Sequence, residues 1–206
     1  MRTTERSKRG GKPVLNNKKV ATVAFTGAII FLLFFPSPLL AISEEGREQT
    51  FLVGFGTGTI PEGKYEPILL IWHLGFNLDR LFPSLRKSKG RLTFFIETQF
   101  NPSFTPEANY EFGISPGLKF SYPLTERLHG FLLVALGPHY ISLVTTQQAN
   151  GFIFSDTVGG GLSLFLGPNR ALSIGYRFRH LSNAGLASPN GGINTHFVTL
   201  GLNFLF

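Results

Sequence analysis

The sequence predicts an all-β chain that closes into an eight-stranded antiparallel transmembrane β-barrel. Three observations carry that prediction. Long segments alternate apolar and polar side chains, as strands do because successive side chains point to opposite faces. Eight such segments can be marked, an even number, and the connections after the first, third, fifth and seventh are rich in Gly, Pro, Asn and Thr. The last segment ends on an aromatic, Phe206, which is typical of bacterial outer-membrane barrels. Strands of about ten residues with apolar-out, polar-in alternation are the sequence signature of such barrels.

In chain order the segments span residues 49–59, 66–78, 91–101, 110–122, 128–142, 152–167, 171–182 and 195–206. The first contains Gly54-Phe55-Gly56-Thr57-Gly58. That run superficially resembles a phosphate-binding loop but lacks the following helix and the lysine, and small residues suit a barrel strand better. The third puts Leu92, Phe94, Ile96 and Phe100 on one face and Arg91, Thr93, Glu97, Gln99 and Asn101 mostly on the other. The fourth alternates most cleanly, with Tyr110, Phe112, Ile114, Leu118, Phe120 and Tyr122 against Glu111, Gly113, Ser115, Gly117, Lys119 and Ser121. The fifth is ambiguous, being apolar on both faces from Phe131 to Leu136. Asn150-Gly151 reads as the turn before the sixth. The seventh carries Leu172, Ile174, Tyr176, Phe178, His180 and Ser182 on one face and Ser173, Gly175, Arg177, Arg179 and Leu181 on the other. The eighth repeats the pattern with His196, Val198, Leu200, Leu202, Phe204 and Phe206 opposite Thr195, Thr199, Gly201 and Asn203.

The connections assign the two ends. Those at 123–127 and 168–170 are short, whereas 60–65, 102–109, 143–151 and 183–194 are longer on average and turn-rich, as extracellular loops are. Residues 79–90 break the rule by their length, and their basic run is read as a solvated segment rather than a periplasmic contact. With both ends of the barrel sequence periplasmic, His180 and Ser182 fall near the outer-leaflet interface.

The formal net charge of +7 is misleading. Residues 1–41 hold seven cations against Glu5, a net +6, which leaves +1 for the remainder and no nucleic-acid footprint. That basic start precedes an apolar run from Val20 to Phe35 and then Pro36-Ser37-Pro38-Leu39-Leu40-Ala41. This is the order of a secretory signal peptide, so residues 1–41 are expected to be removed and residues 42–206 to form the barrel. The alternative is an uncleaved anchor, for which the run is short. With no cysteines, disulfide and thiol chemistry are excluded.

Parity places Glu97, Glu111, Lys119, Arg177 and Arg179 inside. An eight-stranded barrel leaves room only for side chains there, and unpaired buried charges are costly, so a paired structural network is expected rather than a pore or proton path. His73, His129, His139 and His196 are scattered without metal-ligand spacing. No metal or cofactor is expected.

His180 and Ser182 have no such structural reason. They lie on the face that should touch lipid. A serine hydroxyl is a weak nucleophile that needs a base within reach. Residues two apart on a strand face are roughly 7 Å apart at Cα, a gap an imidazole can lean across where the strand ends. Small residues beside the serine let backbone N–H groups face a developing oxyanion. The structural alternative is a pair of interfacial polar residues capping a strand.

The stretch His180-Leu181-Ser182-Asn183-Ala184-Gly185 resembles the motif of the PagL-type lipid A 3-O-deacylases and the broader acyloxyacyl hydrolase-like barrels. There a His-x-Ser-Asn ends strand seven and precedes a loop and the last strand. The resemblance covers most of the mature chain, but its specific part is only residues 180–194. It implies that Ser182 is the nucleophile attacking an acyl ester and His180 its base. It implies that Asn183, with backbone donors near Ala184 and Gly185, holds the oxyanion. The substrate would be lipid A, or lipopolysaccharide, in the outer leaflet. One residue departs from the pattern: the family's glutamate, fourteen positions after the histidine, is here Asn194. No Asp or Glu follows Asp156, so the sequence offers no nearby substitute. An amide oxygen can still accept from Nδ1–H of His180 and orient the ring, as in Cys-His-Asn enzymes, but it cannot stabilise an imidazolium as a carboxylate does. A slower hydrolase and a barrel that has lost its chemistry both fit. The rival readings are a non-catalytic barrel with a structural, adhesive or protective role, and a soluble lipocalin-like carrier with its apolar faces inward. A homodimer is left open.

Overall fold

The computed structural model describes residues 46–80, 82 and 89–206. The expected leader, residues 1–41, and most of the 79–90 connection lie outside the described residues. Nine strand segments follow in order: β1 (Arg47–Ile60), β2 (Gly63–Tyr65), β3 (Ile68–Asn77), β4 (Arg91–Ser103), β5 (Asn109–Pro123), β6 (Leu128–Ile141), β7 (Gly151–Gly167), β8 (Arg170–Ser182) and β9 (Ile193–Leu205). All pairings are antiparallel: β1 pairs with both β2 and β3, β3 to β8 each pair with the next, and β9 returns to β1 from Glu48↔Leu205 to Thr57↔His196, which closes the sheet.

Segments β2 and β3 are two pieces of one barrel strand. β2 pairs with the tip of β1 and β3 with the rest of it, and the break falls at Glu66-Pro67, where proline has no N–H to give to a ladder. The barrel therefore has the eight strands expected. The outer connection expected over 60–65 is mostly strand instead. Ile60 and Tyr65 both bury inward, which extends the pairing and leaves only Pro61-Glu62 to reverse the chain.

Outward positions carry an apolar belt that includes Phe112, Ile114, Leu132, Val134, Ile174, Val198 and Leu200, each about half exposed or more. A continuous apolar surface of this extent requires an apolar solvent. The ambiguous β6 resolves by the same parity. Leu132, Val134 and Leu136 face out, while Phe131, Leu133 and Ala135 pack inward against Phe95.

All five charges expected inside are inside, and all are paired. Arg177 donates through Nη1 and Nη2 to the two oxygens of Glu97, each at 2.8 Å. His73 sits between Glu97 (3.1 Å) and Glu48 (2.9 Å), and Lys119 donates to Glu48. Arg179 donates to Glu111 at 3.0 Å and lies over the Phe197 ring, and the Tyr65 hydroxyl donates to the same carboxylate. Toward the outer end an apolar cluster that includes Ile60, Ile141, Ile153, Leu181 and Ile193 fills the interior. A cavity of about 210 Å³ lined by Glu48, Lys119, Ser121 and Asn203 opens at the end where Arg47 meets Phe206, and none of its lining residues comes from the outer loops.

Candidate active site

Strand β8 ends at Ser182, and its alternation puts His180 and Ser182, both half-buried, on the lipid-facing surface while Leu181 between them is fully buried inside. Across the β8–β9 ladder His180 is the register partner of Asn194. Their side chains meet: Nδ1 of His180 lies 2.7 Å from Oδ1 of Asn194. An amide oxygen only accepts, so this bond keeps the ring proton on Nδ1 and leaves Nε2 as the basic atom. The imidazole leans over Gly192. A Cβ at that position would collide with its Cε1 and come within 3.0 Å of Nε2, and Gly192 has φ +71°, where side chains are disfavoured.

Among the described residues no side-chain hydrogen bond joins Ser182 to His180. Such contacts are often long in unliganded enzymes and tighten when substrate binds. Tyr110, Phe112, Tyr140, Phe152 and Phe154 form a stacked and edge-on aromatic row at this end of the barrel. Phe154 is the register partner of Ser182. Aromatic girdles mark the membrane–water interface, so the histidine and serine lie at its depth.

The turn after Ser182 is tight. Ala184 and Gly185 have φ of +52° and +81°, a region that costs a non-glycine residue such as Ala184 free energy. Asn183 is only 1% exposed and faces inward. Its amide is engaged inside the loop: Oδ1 accepts from Gly185 N–H (3.0 Å) and Nδ2 donates to Ala187 O (2.8 Å). Its own N–H donates to Oδ1 of Asn190 at 2.9 Å. Asn183 therefore braces the turn, and Gly185 N–H is occupied by that brace. Ala184 N–H makes no hydrogen bond among the described residues, and it is the donor of this group left for an incoming oxygen.

Sequence reasoning missed a second brace. The β6–β7 loop grips Gly192, with Gln147 Nε2 donating to its carbonyl at 2.6 Å and Gln148 Oε1 accepting from its N–H at 3.0 Å. Gly191 N–H donates to Gln147 O, and Ala149 N–H to Pro189 O. The Gly191-Gly192 pair before the last strand was the one available signal, because the glutamines belong to a loop more than thirty residues away. The other histidines occupy interfacial or lumen positions: His73 sits in the lumen, His139 contacts Ser115 there at 3.0 Å, and His196 pairs with the Tyr176 hydroxyl on the outer face. The sequence offers no acid near Asn194, but the fold brings one to the other side of His180. Asp156, on β7, is the register partner of His180 from the opposite side.

A family model described as lipid A 3-O-deacylase (PagL) matches residues 70–203. The chain belongs to that family. Among solved structures, the outer membrane enzyme PagL is similar over 73% of this chain and 97% of its own, with 20% identity and a TM-score of 0.54. Neisserial surface protein A is similar over 79% of this chain and 98% of its own, at 13% identity and a TM-score of 0.55. The N-terminal β-barrel domain of Pseudomonas aeruginosa OprF covers the same shares at 10% identity and a TM-score of 0.50. At these identities the likeness is one of fold, and the fold is that of an outer-membrane β-barrel. No curated protein matches the chain.

Proposed function

We propose that this member of the deacylase family is an outer-membrane serine esterase that removes an ester-linked acyl chain from lipid A in the outer leaflet. The observation that carries the reading is the His180–Asn194 hydrogen bond beside Ser182, on the lipid face at the aromatic girdle. In this mechanism Nε2 of His180 takes the Ser182 hydroxyl proton as Oγ attacks the ester carbonyl carbon. The carbonyl oxygen becomes an oxyanion, for which Ala184 N–H is the available donor. The tetrahedral intermediate collapses, its C–O bond breaks, and the imidazolium returns the proton to the departing alkoxide. Water, activated by the same nitrogen, then releases the fatty acid and restores Ser182. Because the pair faces lipid, the substrate stays in the membrane throughout. Removal of residues 1–41 as a secretory leader, leaving 42–206 as the mature barrel, belongs to the same reading. The homodimer left open by the sequence gains no support.

Asn194 in place of the family's glutamate favours one second reading, a barrel that keeps the loop without the chemistry. Mass spectrometry of lipid A from cells with and without the protein separates the two. Loss of one acyl chain is expected with the wild type and not with Ser182→Ala or His180→Ala, all three being heat-modifiable in gels. Nucleophile and base act as one unit, so the double variant should be no worse than either single one. Unchanged lipid A with the wild type, or full activity in either variant, would sink the proposal.

A further inference from the structure

Asp156 is exposed on the lipid-facing surface of β7, six residues into the strand from its outer end. A carboxylate on such a surface is costly and calls for a functional reason with a named partner. Its outward neighbours leave few candidates. Phe154 and Val158 flank it along β7, Leu136 lies across on β6, and all three are apolar. On β8 its register partner is His180, with Ser182 and Phe178 on the diagonals. Among the described residues Asp156 has no ion pair and no side-chain hydrogen bond.

Asp156, His180 and Asn194 thus form one row across β7, β8 and β9, with the imidazole in the middle. Directly opposed side chains in a sheet lie about 5 Å apart at Cβ. Nδ1 of His180 is already engaged by Asn194, so Asp156 cannot be the hydrogen-bonding acid of a triad. It acts through space, at the distance of one strand.

We infer that Asp156 is a positioning residue for this site: from the side opposite Asn194, its carboxylate supplies the negative charge that the family's glutamate would bring and the amide does not. The inference rests on the serine-esterase reading above. The two roles that one glutamate would combine are then divided between two strands. Asn194 fixes the ring and its tautomer, and Asp156 favours the imidazolium that forms when the Ser182 proton moves to Nε2. No bond to Asp156 forms or breaks, and its proton count is unchanged through the cycle.

The test compares full-length variants in the outer membrane by two readouts, fatty-acid release from lipid A and the rate at which a fluorophosphonate labels Ser182. Asp156→Asn keeps the shape and removes the charge. A unit charge at this distance near a protein surface is worth about tenfold or more, so kcat and the labelling rate should fall by about that factor with KM within about twofold. Asp156→Glu should recover most of the loss. In an Asn194→Glu background the same Asp156→Asn change should cost about twofold at most, because the new carboxylate already carries the charge and the two effects cannot add. Full turnover in Asp156→Asn, an equal loss in both backgrounds, or a raised KM with unchanged kcat would each overturn the inference, the last by making Asp156 a substrate contact. If Asn194→Glu fails to fold, the kcat–KM split and the Asp156→Glu recovery decide the matter. Absence of labelling in the wild type would instead overturn the esterase reading itself.

Discussion

Oδ1 of Asn194 accepts from Nδ1 of His180 at 2.7 Å across a register pair of the β8–β9 ladder. The bond spans fourteen residues of sequence, yet the two backbones are adjacent, so the ring is oriented by strand pairing rather than by a mobile loop. A neutral amide in this place orients without compensating charge.

Asn194→Glu is expected to raise the rate of fatty-acid release, because a carboxylate orients the ring and also stabilises the imidazolium. Asn194→Leu removes the acceptor and should reduce turnover by about 10² or more; loss of the correct tautomer in a serine hydrolase costs roughly 10⁴. Turnover on purified lipid A measures both. A large loss on installing glutamate would mean that Asn194 serves the substrate rather than the ring.

Gly192→Ala tests the cradle beneath the imidazole. The added methyl collides with the ring at a backbone position of φ +71°, so His180 must swing away or the loop must shift. Turnover should fall by about 10² while the barrel stays heat-modifiable, since Gly192 precedes β9 and carries none of the lumen contacts.

Gln148→Ala should lower activity by a smaller factor, about three- to tenfold. Gln148 is 1% exposed and its Oε1 holds the Gly192 N–H; a lost hydrogen bond of this kind is worth about 1 kcal/mol. Limited proteolysis should cut the 183–192 loop faster in this variant, and unchanged cutting together with unchanged activity would show the brace to be idle.

Arg177→Met should damage stability rather than chemistry. It leaves Glu97, fully buried and held by both guanidinium nitrogens, with His73 as its remaining basic partner. Breaking a buried pair this way costs about 3–5 kcal/mol. The temperature at which the folded band shifts in a gel should drop, whereas Arg177→Met combined with Glu97→Leu should recover part of the loss.

Alternation with a period of two is a local property of the chain, and a membrane barrel enforces it on every strand. For that reason the sequence by itself determined the eight strands, the apolar belt, the five inward charges and the outward placement of His180 and Ser182. Continued one residue past Ser182, the same parity assigns the Asn183 side chain to the interior. The sequence did not show which residues of different strands stand opposite one another. That depends on the stagger of the closed sheet, which is a property of all the strands together. Only the tertiary structure set Asn194 on one side of His180 and Asp156 on the other, joined Arg177 to Glu97 across eighty residues, and brought Gln147 and Gln148 from a distant loop to grip Gly192. Strand parity is written in each segment, but the neighbours that make a histidine and a serine a candidate site come from barrel closure.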